Sequence, residues 1–378
     1  MDVLRIAFLV PHDFRYSNWS IEDYITKYHY SKKYAAELAS RGHEVTVHLL
    51  HQDISNDIEL ELKDYRIFFH PSSFYFPPKL RFGNAHNLRI YKYVLRDEPD
   101  IVHVHYYYAW STPYVIALLK RHRLKIVLQH HGECDLLKEF RVLFSPLYAL
   151  ADLYLIGYRH ELLYVRKLLA RKIVYFPNVG VDPEVFKPVE MKSDRPLIVY
   201  AGRMIRERRG KRPDLIIYTL KVLTRFRKDF KAYLIGDGPE RSLLEQLVNR
   251  LNLSRFVTFT GHIDQNKLVK YLSKAWILFH PVPFHSLDLF WDGIVKEAYA
   301  CETPVLALSK LGKVKQYRYG ILLPYSPASL AKYLNRLLSN PDELFNMGKS
   351  ARKYVIKYCS WSRIISKLEK IYEKLAKN

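Results

Sequence analysis

Residues 293–308 read GIVKEAYACETPVLAL. Glu297 opens a short helix of small residues (Ala298, Ala300, Cys301), Pro304 ends it, and Val305–Leu308 follows as an apolar strand. A helix start offers free backbone N–H groups and a partial positive charge. A carboxylate beside it can accept hydrogen bonds from sugar or ribose hydroxyls while the N–H groups face phosphate. A plain core α/β unit with one exposed acid fits the same letters, so the rest of the chain has to decide.

Working back from this segment, the chain alternates strand and helix. In the second half Leu197–Ala201, Lys231–Ile235, Val257–Thr260 and Trp276–Phe279 read as strands. Between them Arg212–Phe226, Arg241–Leu251 and Gln265–Lys274 read as helices. The first half repeats the pattern. Leu4–Val10, Glu44–Leu50, Arg66–His70, Ile101–His105, Lys125–Gln129, Leu153–Ile156 and Ile173–Phe176 are strands, and Ile21–Ser40 is one long helix stopped by Gly42. Continuous apolar strands alternating with helices predict parallel sheets buried on both faces. Pro183, Pro188 and Pro196 cluster where the pattern restarts. The expected division is 1–185, 186–357 and a C-terminal amphipathic helix within 358–378 that packs back on the first domain. Two Rossmann-like halves place a ligand beyond the carboxyl ends of their strands.

Composition narrows the function. At 378 residues, 49% hydrophobic and 26% charged, the chain can bury two ordinary cores. No apolar run approaches the roughly 18–20 residues of a membrane span. Met1–Ile6 enters a strand at once, without a basic leader, and Cys134, Cys301 and Cys359 lie far apart. These features read as a cytoplasmic protein without a disulfide framework or a metal knuckle. The net charge of +22 divides unevenly, +4 over residues 1–200 and +18 over 201–378. A basic excess calls for an anionic partner such as nucleotide phosphates, or it is a solvated surface. No nucleic-acid recognition motif accompanies it.

Three loops carry candidate chemistry. Gly202-Arg203, then Arg209-Gly210-Lys211, bracket the approach to a helix and could clamp a diphosphate with planar and point-charge donors. Gly236-Asp237-Gly238-Pro239 is a strand-to-helix turn. His130-His131-Gly132 sits past a buried strand in the first half, with no third ligand at metal-binding spacing.

In order, VHVH, QHHG, FPNVGVDPEVF, YAGR…RRG, LIGDGPER, VTFTGHI, KEAYACETPVLA and YCSWSRI resemble the landmarks of the GT-B-fold, retaining glycosyltransferases of family 4. The likeness spans nearly the whole chain. It implies two Rossmann-like domains facing across a cleft, a nucleotide-diphosphate sugar as donor, no metal and no further cofactor. It also implies an acceptor (glycan, lipid-linked or small molecule) on the first domain. By position, Arg203 and Arg209 would hold the donor diphosphate, with Lys211 as a substitute, and Glu297 would bind the ribose hydroxyls. Gly293, Ile294 and Val295 would present N–H groups, Gly236 would lie in the donor-side turn, and His131 would lie at the reacting centre.

The chain departs from the family at several of these places. Leu289 stands where the family has a second glutamate, so Asp288 or Asp292 is the candidate substitute. Bulky residues around Tyr24–His29 replace a glycine-rich loop, with Lys27 as a compensating cation, and ETP at 302–304 replaces a small-Gly-x-Pro turn. Rival expectations are a GT-B protein that binds a sugar nucleotide without transferring it, and a sugar-nucleotide epimerase. A basic, leucine-rich segment at Arg159–Lys172 could dock on anionic lipid as a peripheral contact.

Overall fold

The computed structural model describes residues 3–15, 18–27, 29–76, 84–105, 109–129, 145–157, 172–177, 179–205, 212–284, 293–309 and 314–377. The chain divides into two units, Met1–Val179 with Trp361–Asn378, and Gly180–Ser360.

In the first unit β1 (Arg5–Val10) is followed by α1 (Ile21–Thr26), α2 (Tyr30–Ala39) and β2 (Glu44–His51). Next come β3 (Ile58–Leu62), β4 (Tyr65–Pro71), β5 (Phe74–Tyr75), β6 (Ala85–His86) and α3 (Ile90–Arg96). Then follow β7 (Ile101–His105), α4 (Thr112–Lys120), β8 (Lys125–Gln129), α5 (Ser145–Tyr148), β9 (Leu153–Ile156) and β10 (Ile173–Tyr175). Eight strands form one sheet in the order β10-β9-β8-β7-β1-β2-β4-β3, parallel except where β3 pairs antiparallel with β4. Strands β5 and β6 form a separate antiparallel pair. Ile6, Phe8 and Val10 point into one buried layer and Ala7 and Leu9 into the other, which is why the strand reads as apolar throughout.

The long helix expected over Ile21–Ser40 is two helices. Ser20 and Asp23 make a reciprocal capping box, Lys27 leaves the helix with an extended backbone, and His29 caps α2. The extended backbone at Lys27 thus ends one helix and the His29 cap starts another where apolar periodicity alone runs straight through. Lys27 is paired with Asp23 at 2.6 Å.

The second unit holds β11 (Leu197–Ala201), α6 (Pro213–Leu223), β12 (Lys231–Ile235), α7 (Arg241–Arg250), β13 (Val257–Gly261), α8 (Gln265–Lys274) and β14 (Ile277–Phe284). It continues with α9 (Gly293–Ala300), β15 (Val305–Ser309), β16 (Lys315–Tyr317), β17 (Gly320–Leu323), α10 (Pro327–Leu338) and α11 (Pro341–Cys359). Its sheet runs β13-β12-β11-β14-β15-β17-β16, parallel but for the edge strand β16.

The last helix, α12 (Trp361–Ala376), returns to the first unit. Its buried stripe, Trp361, Ile364, Ile365, Leu368 and Tyr372, follows helical spacing and joins the core that includes Phe8 and Tyr34. Tyr372 meets His103 at 2.5 Å, and Arg41 of the first unit pairs with Glu369. Among the described residues no helix is long and apolar enough to cross a membrane.

Candidate active site

The site elements of the second unit gather at one edge of its sheet because parallel strands end on the same side. Strand β11 ends at Gly202-Arg203 and β12 at Gly236-Asp237-Gly238, while β13 ends at Gly261 and α9 follows the end of β14. The loops are knitted by backbone hydrogen bonds. Gly202 N donates to Ile235 O at 3.0 Å and Gly236 N to Gly261 O at 2.9 Å. Met204 N donates to Asp237 O at 2.8 Å, and Glu240 N returns to Met204 O at 3.1 Å. This close knitting dictates two glycines. A Cβ on Gly236, whose φ is +121°, would lie 2.2 Å from Gly202 O, and one on Gly238 would lie 2.4 Å from Met204 O.

Asp237 is committed within its turn. Its Oδ1 accepts from Gly238 N at 2.7 Å and its Oδ2 meets Arg241 Nη1 at 3.2 Å. The Gly238 N–H, then Arg241, hold this carboxyl below its ordinary value. Arg203 is exposed at the same edge, with its carbonyl accepting from Tyr200 Oη at 3.0 Å.

Helix α9 begins at Gly293, four residues before Glu297, so Glu297 lies in the second turn rather than opening the helix. Residues i and i+4 share a face, and helical side chains lean toward the N-terminus. The Glu297 carboxylate accordingly folds back over the first turn, with Oε1 3.9 Å from where a Gly293 Cβ would stand. Glycine at 293 adds no side chain of its own over the first N–H groups, and a half-buried carboxylate lies beside them. Val295, Lys296, Ala298, Tyr299 and Ala300 anchor the helix in the core.

Two family descriptions match the chain: Glycosyltransferase Family 4 over residues 30–185 and Glycosyl transferases group 1 over residues 181–354. This chain belongs to glycosyltransferase family 4. Its similarity to N-acetyl-alpha-D-glucosaminyl L-malate synthase of Bacillus anthracis is 25% identity over 369 residues, 89% of this chain and 90% of the relative. Against the first curated relatives it matches, the chain spans about half of their length, 47% and 56%. Among solved structures, sucrose-phosphate synthase from Thermosynechococcus elongatus superposes with a TM-score of 0.70 at 20% identity, covering 98% of this chain and 99% of that one. Anabaena HepE in complex with UDP gives a TM-score of 0.65 at 15% identity over 98% and 100% of the two chains. The fold is GT-B.

Within this family 4 glycosyltransferase, the structure brings Arg203, Gly236 and the Gly293–Glu297 turn to one edge of the second unit. His131, Arg209, Lys211, Asp288, Leu289 and Asp292 lie outside the described residues. Among the described residues no group of three or more His, Cys, Asp or Glu side chains is placed to hold a metal ion. Two site features escaped the sequence reading: the close approach of Gly238 to Met204, and Gly293 as the helix start. The GDGP turn and the glycine four residues before Glu297 carried the signals.

Proposed function

We propose that the enzyme transfers a sugar from a nucleotide-diphosphate donor to an acceptor hydroxyl with retention of anomeric configuration and without a metal. The observation that carries this reading is the Glu297 carboxylate folded over the glycine start of α9, on the sheet edge that also carries Arg203. In this reading Glu297 accepts the ribose hydroxyls, and the first N–H groups of α9 with Arg203, Arg209 and Lys211 take the diphosphate. His131 lies against the donor sugar, and Asp288 or Asp292 supplies the second carboxylate. The UDP held by HepE makes a uridine diphosphate sugar the first donor to test.

As the glycosidic bond to the diphosphate breaks, charge grows on the leaving oxygens, where guanidinium and backbone donors stabilise it. The acceptor oxygen forms its bond on the same face while its proton passes to the departing phosphate. No protein nucleophile is needed, so catalysis is positioning plus electrostatics. A cytoplasmic location accords with the buried free thiols of Cys301 and Cys359.

The test is release of UDP from uridine diphosphate sugars with a broad acceptor panel, for the wild type and Arg203→Ala. The variant is expected to lose roughly 10²–10³-fold in rate, as for one lost oxyanion donor. Near wild-type turnover by Arg203→Ala refutes the phosphate assignment. An inverted product anomer, read by NMR, refutes retention.

A further inference from the structure

Arg15, just past β1 of the first unit, is held on three sides. Its Nε donates to Asp13 Oδ2 at 2.7 Å, its Nη2 donates to Asn84 Oδ1 at 2.5 Å, and its guanidinium carbon sits 3.4 Å from the centroid of the Tyr75 ring. Asp13 and Asn84 are themselves buried, at 2% and 0% exposure, so the clamp is built into the core rather than laid on the surface. The third nitrogen, Nη1, has no hydrogen-bond partner among the described residues, and the side chain is 28% exposed. A guanidinium has five N–H donors, and two rigid bonds fix the direction of the remaining ones. The result is a planar pair of Nη1 donors aimed before any ligand arrives, with little rotamer entropy left to lose.

Its place in the fold is informative. In the sheet order β8-β7-β1-β2, the chain leaves β1 toward β2 on one side and later returns to β7 on the other. The carboxyl ends of β1 and β7 thus flank a topological switch point, where open α/β sheets bind ligands. Ser111 from the β7–α4 connection donates to Pro11 O at 3.4 Å, linking the two loops there. The β5–β6 hairpin adds an apolar wall. Phe74 stacks on His86 at 4.7 Å and Phe76 meets Trp110 edge-on at 5.9 Å, yet Phe74 and Phe76 remain 42% and 55% exposed. The hairpin also holds the clamp, since Tyr75 lies between these two rings in sequence and Asn84 O accepts from Phe76 N at 2.9 Å.

We propose that Arg15 is the acceptor-specificity residue, binding a carboxylate or phosphate group of the acceptor through Nη1. This rests on the transferase reading above and adds the acceptor's chemical class: a hydroxyl compound with an anionic group. Asp13 and Asn84 act as positioning residues that aim the guanidinium. Lysine could replace the charge but not the fork, because a point-charge ammonium lacks the planar pair of donors.

The test is calorimetric titration of the full chain with D-inositol 3-phosphate against myo-inositol, and with L-malate against an uncharged polyol, for the wild type, Arg15→Lys and Arg15→Met. UDP is titrated in parallel. The wild type is expected to bind at least one anionic probe about 10–100-fold more tightly than its neutral match, the range for one charge-assisted contact. The phosphate and carboxylate arms identify which anion it is. Arg15→Met is expected to abolish the difference and Arg15→Lys to keep only part of it, with UDP affinity unchanged.

Because Arg15→Met strands the buried Asp13 carboxylate, the double variant Asp13→Asn/Arg15→Met supplies a neutral, folded comparison. Equal binding of charged and neutral probes by the wild type overturns the proposal, as does a preference that survives in the double variant. Failure of the wild type to bind UDP instead overturns the uridine diphosphate donor of the transferase reading, while the anion preference is still read independently.

Discussion

Replacing Glu302 by glycine is expected to stabilise the second unit. Glu302 follows α9 with φ +56°, in the left-handed region. Its N–H donates to Tyr299 O at 3.1 Å, and Thr303 N donates to Ala298 O at 2.8 Å, the paired bonds of a Schellman helix end. The backbone cannot relax out of this conformation, because Glu302 O lies only 2.1 Å from where a Cβ on Gly348 of α11 would stand. A left-handed L-residue costs about 1–2 kcal/mol. Glycine removes that cost but adds about 0.5–1 kcal/mol of unfolded-state entropy to be lost. The net gain is about 0.5–1 kcal/mol, or ~1–4 °C in Tm for a domain of this size. Urea midpoints at constant slope measure it. Glu302→Ala is the control. It deletes the same carboxylate, which acts on Lys192, an ammonium that burial lowers to about 8, but keeps the strained φ. It should fall within about 0.5 kcal/mol of wild type. If Glu302→Gly is no more stable than Glu302→Ala, backbone strain is not the quantity that matters at this helix end.

Three further outcomes follow from the same packing. Gly236→Ala should destabilise the second unit by about 2–3 kcal/mol, since its Cβ would overlap Gly202 O at 2.2 Å; a urea midpoint equal to wild type refutes the close approach. Leu368→Ala empties a fully buried position of α12 and should cost the first unit about 2–5 kcal/mol by chemical denaturation, whereas a surface-like cost below 0.5 kcal/mol would mean that the helix is not part of that core. Burial first, and the charge of His48 second, push His70 down to about 4 although Asp57 opposes them, and Asp97, Arg66 and Tyr93 complete its charged and titratable surroundings. The folded state then binds fewer protons than the unfolded state between about pH 4 and 6.5, so this stability is complete above 6.5 and lost as pH falls toward 4. Between pH 7.5 and 5 His70 should account for about 2 kcal/mol, and a His70→Asn variant with the same acid slope as wild type would exclude it.

The parallel sheets were legible because their strands are apolar on both faces: Leu197–Ala201, Lys231–Ile235 and Ile101–His105 end where the letters say they end. Elements that lack a long apolar run were not. The β5–β6 hairpin contributes two residues a strand, too short to show alternation, and β3 (IELEL) is an exposed edge whose pattern competes with loop composition. The break between α1 and α2 rests on the extended backbone at Lys27 and the side-chain cap of His29, a signal weaker than the periodicity on either side. Within the site, Arg203 and Gly236 were visible as strand-end residues. Gly293 was not read as a helix start because glycine has low helical propensity, and only the return of Glu297 over it reveals the role.

The chain's glycine usage sharpens that last point. It has only 14 glycines in 378 residues, about half the ordinary share. At five described positions, Asn18, Glu98, Arg123, Asn252 and Glu302, a residue other than glycine holds a left-handed conformation instead. A left-handed φ of +43° to +59° therefore does not by itself demand glycine here, since the fold tolerates about 1–2 kcal/mol of strain at such sites, whereas Gly42 at +94° has nothing within 4 Å for a Cβ to meet. Glycine persists at Gly236, Gly238 and Gly348, where a Cβ would fall 2.1–2.4 Å from a backbone oxygen that cannot move without breaking the sheet edge or the end of α9. Two of the three knit the loops around Arg203, and the third braces the C-terminal end of α9, where β15 begins at the opposite edge of the sheet. At Gly236 and Gly238, steric necessity thus marks the same edge of the second unit that the charged residues mark, by an argument that uses no charge at all.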